Sequence, residues 1–177
     1  MCEKEGKLPT VFSFGITTFL SKGKGNKYLD MRPITLMTVL YSTWSTLRGR
    51  QIAAALEKVL PDNLYGGRKM RSTHTAEIMS AIDLETAQNN EIELIGLADD
   101  YQKCFDTFNS DLTCDVWDAI GVPAEITNVI RTHYDRHVRS MKIHGNYGPP
   151  LATNSLVQGC ALSLHKVNTL FLSLIHI

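Results

Sequence analysis

Three carboxylates lie within eight residues of one another in the stretch DDYQKCFD, residues 99–106. The stretch follows an apolar-rich run that predicts a short buried strand over residues 92–98. Ionised carboxylates are costly to bury unless they are paired or bind a metal. The segment is therefore either a surface turn after an edge strand or a metal site at the end of a strand.

The net charge of zero conceals an uneven distribution of charge along the chain. Residues 1–72 carry 12 Lys and Arg against 5 Asp and Glu, residues 73–115 carry 1 against 10, and residues 116–177 carry 5 against 3. A basic first segment beside an acidic second one fits a protein that binds both an anionic ligand and a cation. Two solvent-exposed faces, one basic and one acidic, would explain the same distribution of charge.

Composition narrows the class of protein. A chain of 177 residues with 44% hydrophobic content can bury one core. The sequence contains no run of 18 apolar residues, so no membrane span is predicted. Its first residues are charged, so no secretory signal is predicted either. Four cysteines without a CxxC pair predict reduced thiols in an intracellular protein and no zinc site. His133 and His137 have the spacing of a ligand pair on a helix, but no further ligands accompany them.

Strands and helices are predicted in a mixed order without strict βαβ alternation, which favours an α+β fold. Strands are predicted at residues 11–20, 31–36, 92–98 and 138–144, with a further strand leading towards residue 157. Helices are predicted at residues 38–60, 73–88, about 109–120, 123–134 and from about 162 onwards. The helix over 73–88 is expected to turn Ile78, Ile82 and Leu84 inward.

Four segments taken together resemble the reverse transcriptases of non-LTR retrotransposons and group II introns. They are KGKG with RPITL (residues 22–25 and 32–36), like the first fingers motif; YGGRKMRST (65–73), like a loop before a helix; DYQKCFD (100–106), like the palm motif D-x-x-K-x-F-D; and QGCALS (158–163), like QG-x-x-L-S. The resemblance runs from about residue 16 to residue 171. It implies partial fingers and palm of a right-hand polymerase over residues 14–171, with a ferredoxin-like palm sheet backed by helices and residues 1–13 as a lead-in.

The resemblance implies an RNA-directed DNA polymerase that adds deoxynucleotides to a primer by two-metal nucleotidyl transfer. The implied partners are an RNA template, a DNA primer and deoxynucleoside triphosphates, with no membrane. Asp100 becomes the catalytic, metal-binding carboxylate, and Mg²⁺ is the expected ion, with Mn²⁺ as a substitute. Asp99 is then expected on the opposite face of its strand, and Asp106 is expected to be structural.

The same resemblance implies residues that hold the nucleotide phosphates. Arg32 offers a planar fork for phosphate oxygens, and Lys22, Lys24 or Lys27 adds a mobile charge. The spacing of a Walker A loop is absent. A solvated basic turn is the plain alternative for residues 22–27.

Other implied contacts concern the base and the sugar. Phe105 is expected beneath the incoming sugar, where a bulky ring disfavours a ribose 2′-hydroxyl, although a core aromatic residue would look the same. Gln158 and Gly159 are expected at the new base pair, because glycine allows close backbone approach. The alternative for this pair is a turn that begins a helix. Template or primer phosphates are candidate partners of four further residues, which are Arg131, Arg136, Arg139 and Lys142.

The chain departs from the family pattern in two places. After Ser163 the family has Pro and an apolar helix, whereas this chain has the polar residues His165 and Lys166. The third palm motif, Tyr/Phe-x-Asp-Asp, does not occur before Ile177, so this polypeptide alone is not expected to extend a primer. Residues 172–177 are either an apolar helix tail or a non-native translated sequencing-adapter end.

Two alternative functions share these features. One is a non-catalytic remnant of a retroelement that binds nucleic acid through its basic first segment. The other is a different palm enzyme, such as an RNA-dependent RNA polymerase, against which Phe105 argues.

Overall fold

The structure, a computed structural model, describes residues 2–21, 23, 31–96 and 100–175 and has the predicted α+β class. The strands are β1 (Phe14–Ser21), β2 (Met31–Met37), β3 (Val138–Ile143), β4 (Asn146–Tyr147) and β5 (Leu151–Ala152). The helices are α1 (Val39–Leu56), α2 (Thr73–Asn89), α3 (Cys104–Thr107), α4 (Ser110–Ala119), α5 (Ala124–Asp135) and α6 (Ser163–Ile175). None of the helices in these ranges has the length and apolar content needed to cross a bilayer.

The sheet is built around β1. Strand β2 pairs antiparallel with β1, with Thr17 opposite Thr35, and β3 pairs parallel with β1 on its other side. Strands β4 and β5 both pair antiparallel with β3. Because Pro33 has no N–H to donate, it fits only where β2 lies, at an edge of the sheet. The free edge of β2 is consequently open to contacts from elsewhere in the chain.

The core lies among the helices. Tyr41 of α1, Trp117 of α4 and Val129 and Ile130 of α5 are almost fully buried. The indole N–H of Trp117 donates to the hydroxyl of Thr169 in α6 over 2.9 Å, which satisfies the polar end of a buried ring. Helices α4, α5 and α6 therefore form one packed unit, with α1 against it.

Local capping explains where two of the predicted helices begin. The Ser72 hydroxyl accepts a hydrogen bond from the Thr75 N–H at 3.1 Å, and the Asn109 side chain accepts one from the Asp111 N–H at 2.6 Å. Such caps satisfy the unpaired N–H groups of a first helical turn. The predicted helices are confirmed, although α1 ends at Leu56, before the predicted residue 60.

The predicted strand over 92–98 is wrong for residues 92–96, and residues 97–98 lie outside the described residues. Ile92 and Leu94 are exposed, Ile95 is 94% exposed, and the segment has no strand partner in the described part of the chain. An apolar-rich run forms a strand only where a neighbouring strand receives its hydrogen bonds.

The prediction that three apolar side chains of α2 point towards the core is also wrong. Ile78, Ile82 and Leu84 are exposed, and Ala87 is the one buried residue of this helix. Helical spacing predicts a helix correctly but cannot show that another element packs against its apolar side.

Helix α6 runs through Ile175, so the first residues of the predicted tail over 172–177 continue the helix. Leu172 packs against the core. The non-native origin of these residues stays a prediction.

A pair of buried histidines lies between the helical core and the sheet. His133 is 1% exposed, its ring stacks on that of Tyr41 at 3.7 Å, and neither of its ring nitrogens has a hydrogen-bond partner among the described residues. The ring of His137 lies 5.3 Å from that of His133 and packs against Gly15. Burial, with a smaller contribution from nearby positive charge, lowers the pKa of His133 to about 3 and the pKa of His137 to about 4.

We expect the free energy of unfolding to fall as the pH is lowered from 7 to 5. Both histidines have an unfolded pKa near 6.5, so between about pH 6.5 and pH 4 the unfolded chain binds protons that the folded chain does not. At pH 5 each histidine should lower stability by about 2 kcal/mol, relative to neutral pH. Urea unfolding at the two pH values measures the change.

The matched variants are His133→Phe, which keeps a stacked ring without a titrating group, and His74→Gln, which removes an exposed histidine. The first should remove a substantial part of the pH dependence, and the second should leave it largely unchanged. Equal stability of the unaltered chain at pH 7 and pH 5 would contradict the assignment.

Candidate functional site

The segment around Gln158 and Gly159 lies directly against the free edge of β2. The Thr35 N–H donates to the Gln158 carbonyl oxygen over 2.7 Å. Gly159 has φ +127°, and a Cβ atom there would lie 2.3 Å from the Thr35 carbonyl oxygen. Glycine is therefore required at this position for both conformation and space. Arg32 is exposed on the same strand, about 10 Å away along it.

The loop over residues 65–73 is attached to the helix that follows Gly159. The Asn168 side-chain amide donates to the Gly66 carbonyl oxygen over 2.8 Å. Within the loop, the buried Arg68 guanidinium pairs with Glu57 at 2.7 Å and donates to the Leu64 carbonyl oxygen at 3.0 Å. Arg68 thus shapes the loop and is not available to a ligand.

Residues 100–109 contact residues 156–171 through a backbone hydrogen bond and through aromatic packing. The Leu156 N–H donates to the Phe108 carbonyl oxygen over 3.0 Å. The rings of Tyr101 and Phe108 pack against that of Phe171, at 5.4 and 6.3 Å between centroids. Residues 156–171 are therefore in contact with all three of the other motif segments.

Within this segment the chain reverses at a strained residue. Lys103 has φ +52°, a left-handed conformation that costs a residue with a side chain about 1 kcal/mol or more. Asp106 follows in α3 and forms an ion pair with Arg139 of β3 at 3.6 Å. Asp106 therefore has a partner within the fold, as expected of a structural carboxylate.

Asp100 differs from Asp106, because it is exposed and has no hydrogen bond or ion pair to any described residue. A free carboxylate of this kind can serve as one oxygen ligand of Mg²⁺, which commonly completes its shell with phosphate oxygens and water. The described residues contain no group of three His, Cys, Asp or Glu placed to hold a metal. Asp99 lies outside the described residues.

The structure brings only some of the other predicted site residues together. Phe105 is half-buried in α3, and Lys22, Lys24 and Lys27 lie outside the described residues. No hydrogen bond or ion pair between described residues joins Asp100 to Arg32 or Gln158.

Several basic residues proposed for phosphate contacts are already paired. Arg131 lies 2.9 Å from Asp115 and 2.6 Å from Asp118, and Arg139 is paired with Asp106. Three more pairs use basic residues of the first segment, and these are Arg48–Glu3, Arg68–Glu57 and Arg71–Asp62. The positive charge available to a nucleic acid is therefore smaller than the composition suggests.

Lys166, where the chain departs from the family pattern, is buried in α6. Its Nζ donates to the Ser110 hydroxyl at 2.9 Å and to the Cys114 sulfur at 3.3 Å, and it lies 5.1 Å from the centre of the Tyr134 ring. Sequence reasoning found the polar residue but missed its partners. Ser110 and Cys114 are four residues apart and so lie on one face of α4, which was a readable signal.

We expect Gly159→Ala to lower the free energy of unfolding by about 3 kcal/mol or more, because its Cβ would displace the Thr35 backbone and break the bond to Gln158. Gly145→Ala is the matched control, since Gly145 also has positive φ but nothing lies within 4 Å of its added Cβ. It should cost only about 1–2 kcal/mol. Equal losses in urea unfolding would show that the close approach to Thr35 is not a constraint.

The chain was also compared with known proteins. No protein-family model matches it, and no curated protein sequence matches it.

Proposed function

We propose that the chain is the partial fingers and palm region of a reverse transcriptase, an RNA-directed DNA polymerase. The observation that carries this proposal is the backbone contact between Thr35 and residues 158–159. The fingers-like strand and the second palm-like motif are more than 120 residues apart in sequence, and a shared nucleotide site requires them to be adjacent. Composition and helical periodicity do not require this contact.

The proposed site gives each side chain a separate task. Arg32 binds triphosphate oxygens from the edge of the sheet, where its guanidinium is exposed. Gln158 and Gly159 form a wall on which the new base pair rests. Mg²⁺, when bound, stabilises the attacking and leaving oxygens of nucleotidyl transfer. Asp100 contributes a carboxylate oxygen that has no competing partner among the described residues.

We expect the purified chain to bind a fluorescent deoxynucleoside triphosphate in a Mg²⁺-dependent manner. Arg32→Ala should weaken binding roughly 10-fold or more, because a charge-assisted contact to phosphate is lost. Asp100→Asn should abolish most of the Mg²⁺ dependence while leaving the metal-independent part of binding. Fluorescence anisotropy with and without Mg²⁺ measures both effects.

Matched controls are Arg50→Ala and Asp83→Asn, which remove the same charges from exposed positions on α1 and α2. Neither should change the Kd. If all four variants bind alike, the site is wrongly placed. Salt-dependent RNA binding that survives Asp100→Asn, without Mg²⁺-dependent nucleotide binding, would instead support a non-catalytic nucleic-acid-binding remnant.

We expect Phe105→Ala to reduce the preference for deoxyribonucleotides over ribonucleotides from about tenfold or more to near unity, because no ring would then oppose a 2′-hydroxyl. Competition between the two nucleotides for the labelled probe gives the ratio. Phe105→Tyr keeps the ring and should keep the preference. An unchanged ratio in Phe105→Ala would leave this residue as a core aromatic only.

A further inference from the structure

Cys114 and Lys166 form a buried thiol–amine pair at the contact between α4 and α6. Cys114 is 0% exposed and Lys166 is 1% exposed, and the amine nitrogen lies 3.3 Å from the sulfur. The Ser110 hydroxyl accepts a hydrogen bond from the same amine at 2.9 Å, while the rings of Trp117 and Tyr134 lie 5.8 and 5.1 Å from it. The amine is thus enclosed and held beside the sulfur, and no task in the proposed function uses either group.

This arrangement distinguishes Cys114 from the other cysteines. The four cysteines form no disulfide. Cys160 is buried, but its sulfur lies 3.6 Å from the Tyr41 hydroxyl, and Cys104 is half-buried. Among the described residues, Cys114 is the one cysteine whose sulfur contacts a lysine amine.

The buried surroundings favour the neutral forms of both groups. Burial raises the pKa of the Cys114 thiol, although the neighbouring Lys166 opposes this, and burial lowers the pKa of the Lys166 ammonium. A neutral amine has a free electron pair and can act as a nucleophile, whereas an ammonium cannot.

We propose that Cys114 and Lys166 are a site of oxidative modification, at which a hydroperoxide converts the pair into a covalent sulfur–nitrogen crosslink between α4 and α6. In the first step the Lys166 amine accepts the Cys114 thiol proton, the resulting thiolate attacks a peroxide oxygen and the O–O bond breaks. The departing hydroxide takes the proton back from Lys166 and leaves as water, so the amine is neutral again. Sulfur is oxidised by two electrons to the sulfenic acid, and hydrogen peroxide is reduced to water. A sulfenic acid is known to condense with a backbone nitrogen to a sulfenamide, and the Lys166 amine places a nucleophilic nitrogen 3.3 Å from the Cys114 sulfur.

In the second step the Lys166 nitrogen attacks the sulfenic sulfur. The S–N bond forms, the S–O bond breaks, and the departing hydroxide leaves as water with a proton from the amine. One thiol, one amine and one hydrogen peroxide thus give one sulfenamide and two waters, so the protein loses two hydrogens. Two equivalents of a thiol reductant restore the thiol and the amine and become a disulfide.

The crosslink would join two helices that are far apart in sequence and already packed together. Because it restricts the unfolded chain as a disulfide does, the oxidised protein should melt about 10 °C higher than the reduced protein. Treatment with reductant should reverse the shift.

The experiment treats the folded chain with hydrogen peroxide, blocks free thiols and maps tryptic peptides by mass spectrometry. The expected product joins peptide 104–131 to peptide 143–177 through Cys114 and Lys166, two hydrogens lighter than the two peptides together. Modification of Lys166 also prevents cleavage after it. The same treatment in concentrated urea should not give this product, since unfolding separates the two groups.

Three variants serve as controls. Lys166→Met removes the amine while keeping a long side chain, and it should divert Cys114 to the sulfinic acid. Cys114→Ser should abolish the linked peptide, whereas Cys104→Ser should leave it unchanged. The proposal is overturned if the folded unaltered chain gives Cys114 unmodified or only as sulfinic acid, or if the link involves another cysteine.

Discussion

The close approach of two backbones, at Thr35 in β2 and Gly159 before α6, connects the sheet to the helical core. One hydrogen bond of 2.7 Å and the absence of a side chain at Gly159 bring an edge strand within contact of residues 156–171. The same segment receives the loop over 65–73 through Asn168 and the aromatic residues around Phe108 through Phe171. The described parts of the motif segments are therefore all positioned relative to this one stretch of chain.

The core is unusual in the polar groups that it buries, and these groups fall into two kinds. Lys166 has hydrogen-bond acceptors on α4 and aromatic rings around it, so burial of its amine is compensated. The ring nitrogens of His133 have no such partners among the described residues, and the ring is surrounded by the rings of Tyr41, Tyr134 and His137. The contacts of Lys166 hold α4 and α6 together, whereas the buried His133 makes the stability of the fold depend on whether its ring is protonated.

Much of the local structure could be predicted from the sequence, because its causes are local. Ser72 and Asn109 begin their helices with side chains that accept backbone N–H groups, and Pro33 restricts β2 to an edge. The exposed Ile95 shows the limit of such reasoning, since an apolar-rich run does not reveal whether a pairing strand is present. The contact between Thr35 and Gly159 depends on tertiary packing that no local pattern encodes. Asp100 was found only through a resemblance, and the structure leaves it without a partner that would assign its role.

The isolation of α2 has a consequence for the dynamics of the protein. A helix of 17 residues with one buried residue lacks the packed apolar face from which most helices in proteins gain their stability, and it keeps only its own hydrogen bonds and its Ser72 cap. Apart from Ala87, its opening does not require the unpacking of a buried residue such as Trp117. We therefore expect α2 to be a separate cooperative unit, whose amide protons exchange with solvent by local opening at a free energy well below that of global unfolding.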